Sequence, residues 1–282
     1  MSKRLWPATI VLLLFSGPAV FAQGNPVPAL AIRYVRFENA NHLPPEQQDR
    51  ITLMLRQAGY TPGSEPVTEQ AVRNAYADKG FWQAKIRVDA TPADGQVDVT
   101  VRAIEEGRAY KLGSLRWTGV SAFQENDLAR LVPLHPGRVL ERTKIVEAID
   151  AIRRAYFGGG YLSYSATPEV EMNDHDGTAM LRINVNEGGL FTVQSFDVIG
   201  VAPDVRMRLL QAWPFRAGDV YRGENVENFV AVNSAMLPVP VSNDVVCRTV
   251  DLSNRTVEFV LDFRPQPLAC NGPQEIQVTS NR

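Results

Sequence analysis

Lys79-Gly80-Phe81, running on through Ile86, Val88, Asp94-Gly95 and Val97 to Glu105-Glu106-Gly107, decides how this chain folds. It reads as a helix end, a tight Gly-aromatic corner, an alternating strand, a two-residue turn, a second strand and an acidic stop. About eighty residues later the same order returns. There Gly160-Tyr161 is followed by Tyr164 to Glu169, a turn at Asp176-Gly177, Leu181 to Val185, and Glu187-Gly188. A fixed long-range period of this kind sets the architecture before any residue is given a role.

Upstream of the first corner, residues 31–38 alternate as a strand, with Ile32, Tyr34 and Arg36 on one side and Arg33, Val35 and Phe37 on the other. Pro44-Pro45 opens a helix through Gln57, with Ile51, Met54, Leu55 and Ala58 as its apolar stripe. Thr68 reads as the N-cap of a second helix carrying Ala71, Val72, Ala75 and Tyr76. Strands at 84–91 and 97–104 complete a strand-helix-helix-strand-strand unit. The second unit repeats it with Leu112 to Trp117, Glu125 to Val132, a helix capped by Thr143, and the hairpin after Gly158-Gly159-Gly160. The third starts at Phe191, continues through helices holding Met207 and Leu210 and then residues 222–232, and ends in strands 244–251 and 256–263. Val35, Leu115 and Phe196 fall at matching first-strand positions. The fold class is α+β: each unit is a three-stranded sheet with two helices on one face, and short acidic connectors join the units almost without linker.

At 282 residues the chain has room for two or three small cores, and 45% apolar with 21% charged residues is ordinary for a globular protein. The start has the three parts of a secretory signal. Lys3 and Arg4 are its positive end, Ile10 to Phe15 its apolar run, and Val20-Phe21-Ala22 its cleavage site, with Gln23 rather than Cys after the cut. Removing residues 1–22 takes away two positive charges and moves the net charge from -2 to -4, which argues against nucleic acid as a partner. Export makes a disulfide between Cys247 and Cys270 the favoured reading over two unpaired thiols. Such a loop contributes about 3 kcal/mol in the chain-entropy model.

Catalysis finds no footing. His42, His135 and His175 lie far apart in expected loops and read as solvated. Asn173 to Gly177 lacks the later glutamate of a calcium loop and is explained by a hairpin turn. Gly158-Gly159-Gly160 ends a helix rather than starting one, with no lysine after it. The chain reads as a non-enzyme with no catalytic residues, cofactor, metal or small-molecule substrate.

Units of this length, with a Gly-aromatic corner before the second strand and Glu-Gly at the close, resemble POTRA domains, the periplasmic repeats of the BamA/TamA-type outer-membrane assembly proteins. The resemblance covers residues 31–265 and rests on Lys79-Gly80-Phe81 with Glu105-Glu106-Gly107, and on Gly159-Gly160-Tyr161 with Asn186-Glu187-Gly188. It implies a signal peptide at 1–22, POTRA-like modules at 31–108, 109–189 and 190–265, and a tail at 266–282. The third module departs from the pattern, with Met236-Leu237-Pro238-Val239-Pro240 at its corner and Arg264-Pro265 at its close. After it there is no room for the membrane barrel that follows the last repeat in family members, so the family's pore activity does not carry over.

The family's sheet is mixed, with the third strand in the middle and the second at the edge. An edge strand leaves backbone groups free to pair with an extended segment. The resemblance thus implies that residues 84–91, 163–169 and 244–251 bind unfolded outer-membrane polypeptide, barrel proteins or assembly-complex subunits by strand addition. The residues expected to meet such partners are Lys85, Arg87 and Asp89, then Tyr164 and Ala166, then Val246 and Arg248. Pro168 inside the second of these strands suits an edge. The implied location is the periplasm, with association to the outer membrane through partners. The alternative is a scaffold or accessory subunit of another envelope complex, of division or secretion type, whose modules act as spacers.

Overall fold

The computed structural model describes residues 9–11, 29–238 and 246–264. The chain forms β1 (Thr9–Val11), β2 (Ile32–Glu38), α1 (Pro45–Ala58), α2 (Glu65–Ala77), β3 (Lys85–Ala93) and β4 (Gln96–Glu105). It continues as β5 (Lys111–Thr118), α3 (Glu125–Leu131), α4 (Arg142–Gly158), β6 (Ser165–Asn173) and β7 (Thr178–Asn186). Last come β8 (Thr192–Ile199), α5 (Pro203–Ala212), α6 (Gly223–Asn233), β9 (Val246–Asp251) and β10 (Thr256–Asp262). The strand orders are β2-β4-β3, β5-β7-β6 with β1 added outside β6, and β8-β10-β9. The central strands β4, β7 and β10 run parallel to β2, β5 and β8, while β3 and β9 run antiparallel to their neighbours. Each sheet is therefore mixed, and the expected α+β class is the observed one. The chain divides into two compact units, Met1–Thr118 with Glu125–Ile149 and Thr167–Asn184, and Gly119–Gln124 with Asp150–Ala166 and Val185–Arg282.

The internal register is repeated. Val35, Leu115 and Phe196 sit opposite Val99, Leu181 and Phe259 on the central strands. In each first strand one residue is skipped, namely Arg33, Gly113 and Gln194. A bulge of this kind flips the alternation. Ile32 is buried, yet Tyr34 is 62% exposed, and Val35 and Phe37 take over the core side with Val99 and Val101. The plain alternation expected for residues 31–38 misses that flip. Helix faces show smaller shifts. Met54 and Met207 point outward, leaving Ile51, Leu55 and Leu209 to fill the cores. The second helix starts at Glu65 with Pro66 in its first turn, so Thr68 lies inside the helix rather than capping it.

Each Glu-Gly close does more than end a repeat. Glu106 accepts hydrogen bonds from the Tyr76 hydroxyl at 2.7 Å and the His42 N–H at 2.8 Å, and its other oxygen meets His42 Nδ1 at 2.8 Å. Glu187 accepts from the Tyr156 hydroxyl at 2.7 Å, the Ser121 N–H at 2.7 Å and the Ala122 N–H at 2.8 Å, and also from the Ser121 hydroxyl. One carboxylate thus ties the sheet end to the second helix and to the loop after the first strand. His42, expected to be solvated, is one of the ties. Burial alone would raise the Glu187 carboxyl, but the donors from Ser121, Ala122 and Tyr156 outweigh it and bring the group to about 2. Glu106 is lowered in the same way, its burial outweighed by His42 and Tyr76. Burial, then the bond to the carboxylate, pushes Tyr76 and Tyr156 above the usual phenol range. The third repeat has Leu237 at the tyrosine position, packed against an apolar cluster of Val198, Leu209, Phe229 and Leu261.

The Gly-aromatic corners are joints. The Gly80 carbonyl accepts from the Tyr110 N–H at 3.0 Å, and the Tyr110 carbonyl from the Leu140 N–H at 2.9 Å. The Gly160 carbonyl accepts from the Phe191 N–H at 2.9 Å, and the Phe191 carbonyl from the Tyr221 N–H at 2.9 Å. Polar side chains fasten the first joint: Trp82 Nε1 donates to the Leu140 carbonyl at 2.6 Å, and Arg142 pairs with Asp78 at 2.9 Å. The second combines an apolar cluster of Leu162, Phe191, Tyr221 and Phe259 with one polar tie, Arg222 donating to the Gly159 carbonyl at 2.6 Å. A Cβ at Gly160 would lie 2.6 Å from the Tyr221 carbonyl oxygen, at a φ of +94°.

Gly160→Ala is therefore expected to destabilise the protein by about 2–3 kcal/mol, read from urea unfolding. The Glu187 carboxyl stands at about 2 in the fold against 4.5 as a free group. Its contribution is complete above pH 4.5 and is lost as pH falls toward 2. The stability difference between wild type and Glu187→Gln is expected to be largest at neutral pH and to shrink across that window.

Candidate functional site: the edge strands

β3 has β4 as its single sheet neighbour among the described residues, so its other side carries unpaired backbone. The N–H of Val88 donates to Glu69 Oε1 on α2 at 3.2 Å rather than to β4. Antiparallel ladders alternate, so the N–H groups of Ile86, Val88 and Ala90 point out from the sheet, while those of Arg87 and Asp89 face β4. Pro92, next in the outward series, has no N–H.

The charged side chains expected to meet a partner lie over the open face of the sheet and are already paired there. Lys85 meets Glu105 of β4 at 2.5 Å. Arg102, on the central strand, lies between Asp89 of β3 at 3.2 Å and Glu38 of β2 at 2.8 Å, and Arg87 stands 3.4 Å from Asp89. The hydrogen bond to Glu38, then its charge, raises the Arg102 guanidinium. These pairs are half-exposed and individually contribute about 0–1 kcal/mol, so they order the face rather than hold it together.

In the second sheet the strand begins at Ser165 and ends at Asn173, later than the expected 163–169. Tyr164 falls just before it, buried and stacked on Tyr156 with ring centres 4.5 Å apart. It anchors the strand and is not free to meet a partner. Ala166 is half-buried within β6, and Pro168 is buried. Beyond Pro168 the strand is paired on its outer side. Thr9, Ile10 and Val11 run antiparallel against Glu171, Val170 and Glu169. On the same sheet Arg182 of β7 lies 3.4 Å from Glu169 and 3.3 Å from Glu171.

In the third sheet β9 has β10 as its single described neighbour, with Val246 opposite Leu261 and Arg248 opposite Phe259. Arg248 is exposed. Cys247 stands opposite Val260, but Cys270 lies outside the described residues, as does the tail. Lys85, Arg87, Asp89, Ala166, Val246 and Arg248 lie within β3, β6 and β9, whereas Tyr164 lies just before β6 with its ring in a core. Sequence reasoning passed over Glu69, and it read Glu106 and Glu187 as repeat closes and Tyr76 as part of a helix face without the hydrogen bonds that join them. The pairing of Tyr with Glu is itself legible, since Tyr76 and Tyr156, and Glu106 and Glu187, recur with nearly the same spacing as the corner glycines.

Comparison with known proteins bears on this geometry. Residues 110–188 match the family model POTRA, described as "Surface antigen variable number repeat". A curated protein of Treponema pallidum (strain Nichols), described as "Putative outer membrane protein assembly factor", is 23% identical over 157 residues. The match takes in 54% of this chain but 19% of that relative's length. The crystal structure of Haemophilus influenzae BamA POTRA3-5 is 21% identical and superposes with a TM-score of 0.56, covering 84% of this chain and 99% of that one. Residues 110–188 are thus similar to a POTRA domain, and over the 84% of the chain that superposes the fold is that of successive POTRA domains.

Proposed function

We propose that this is a non-catalytic periplasmic protein that binds polypeptide partners by strand addition at its sheet edges, in outer-membrane protein assembly or transport. Its clients are unfolded outer-membrane proteins, barrels or assembly-complex subunits, and no cofactor, nucleic acid or small substrate takes part. In this reading residues 1–22 are removed on export, the repeats occupy 31–108, 109–189 and 190–265, and Cys247 pairs with Cys270 in the oxidising compartment. The description of the Treponema relative as an assembly factor supports the setting.

The observation that carries the reading is the place of the second strand in each sheet. β3 and β9 have one described neighbour each, and outside β6 lies the three-residue segment Thr9–Val11. That segment illustrates the geometry a client would adopt, an extended run laid antiparallel on the outer side of the sheet.

A proline at Arg87 would remove an N–H that faces β4 and damage the sheet itself. Ala90→Pro removes an outward donor and leaves the ladder intact. Photo-crosslinking groups placed at Arg248 and beside Ala90 are expected to capture extended outer-membrane polypeptide in intact envelopes. Ala90→Pro is expected to weaken capture at the first repeat by about fivefold, the loss of one backbone hydrogen bond, at an unchanged melting temperature. Full capture by a folded Ala90→Pro protein would remove strand addition at β3 from consideration.

A further inference from the structure

Val88 and Pro168 occupy the same place in successive repeats, eighty residues apart and inside β3 and β6. At this place an edge strand would offer an outward N–H. In the first repeat that N–H exists and is covered by Glu69 Oε1 at 3.2 Å. In the second it does not exist, because proline carries none. The helix position matching Glu69, again eighty residues on, holds Ile149, which is 9% exposed. The two substitutions go together: where the edge has a donor the helix supplies an acceptor, and where it has none the helix supplies an apolar side chain.

Glu69 is held loosely. Its side chain is 25% exposed, and its ion-pair partner Arg73, one turn along α2, lies 3.5 Å away. With Glu69 in place the remaining outward donors of β3 are Ile86 and Ala90, separated by the covered Val88. An incoming strand pairs at successive outward positions, so this gap interrupts it. With Glu69 turned aside, Ile86, Val88 and Ala90 form an unbroken series.

We propose that Glu69 is a removable guard on the edge of the first repeat and Pro168 its permanent equivalent on the second. The first repeat admits an extended polypeptide across Val88 only when Glu69 is displaced. The partner that fits supplies a carbonyl to the Val88 N–H and a basic or hydroxyl side chain to the released carboxylate. The guard rests on the strand-addition reading above, and two separate measurements keep the two apart.

The first is amide exchange in the full chain without ligand. In Glu69→Ala the Val88 N–H is expected to exchange about tenfold faster, with Arg87 and Asp89 unchanged because theirs face β4. Glu69→Gln, whose amide oxygen still accepts, is expected to restore protection. The second is binding of a fluorescent synthetic peptide of alternating Thr and Val. Affinity is expected to rise about three- to tenfold in Glu69→Ala, and Glu69→Ala/Val88→Pro is expected to lose that gain. Pro168 shows that a proline is accommodated at this place in the fold. Unchanged Val88 exchange in Glu69→Ala overturns the guard. Faster exchange with peptide affinity unmoved in Glu69→Ala and Ala90→Pro alike overturns strand addition, and the guard's part in admission with it.

Discussion

The carboxylate at the end of a central strand is the interaction on which each of the first two repeats depends. A two-layer unit this small has one sheet face and two helices, and the loop after its first strand has no core of its own. Glu106 and Glu187 supply the missing tie by collecting a tyrosine hydroxyl from the second helix and backbone N–H groups from that loop. The tyrosines are fully buried, so their hydroxyls need an acceptor, and the carboxylates need donors to offset their desolvation. Each group solves the other's problem. In the third repeat an apolar Leu237 stands at the tyrosine's place, and a carboxylate of a different kind, the buried Asp262, is held by Arg264 two residues on.

With the sheet ends fixed, the corner glycines come into position as acceptors for the next repeat. The same backbone pattern is fastened by different chemistry at the two joints. Trp82 and the Asp78–Arg142 ion pair fasten the first, whereas the second continues an apolar core through Leu162, Phe191 and Tyr221 and adds Arg222 on the Gly159 carbonyl. The recurrence of the backbone pattern under changed side chains shows which part is architecture and which part is local tuning.

The architecture was legible because periodicity and turn chemistry carry it. The eighty-residue period, the Asp94-Gly95 turn with both φ values positive, and the alternating strands all reappear in the fold. What was not legible depended on partners distant in sequence. The first-strand bulges need a neighbouring strand to exist, so Tyr34 was put on the wrong side. Tyr164 lies within an apparent strand pattern but is captured by Tyr156 from α4. Glu69 is one of many exposed acids on a helix, and only the fold brings it to Val88. At the edge of the first sheet the charged side chains lie over the sheet face, and the outward groups are backbone, which a pattern of side chains does not display.

The joints also have a polarity along the chain. The receiving carbonyl, of Gly80 or Gly160, belongs to the earlier repeat, at the point where its second helix stops. The group that docks belongs to the start of the next. Each socket therefore lies earlier in the chain than its plug.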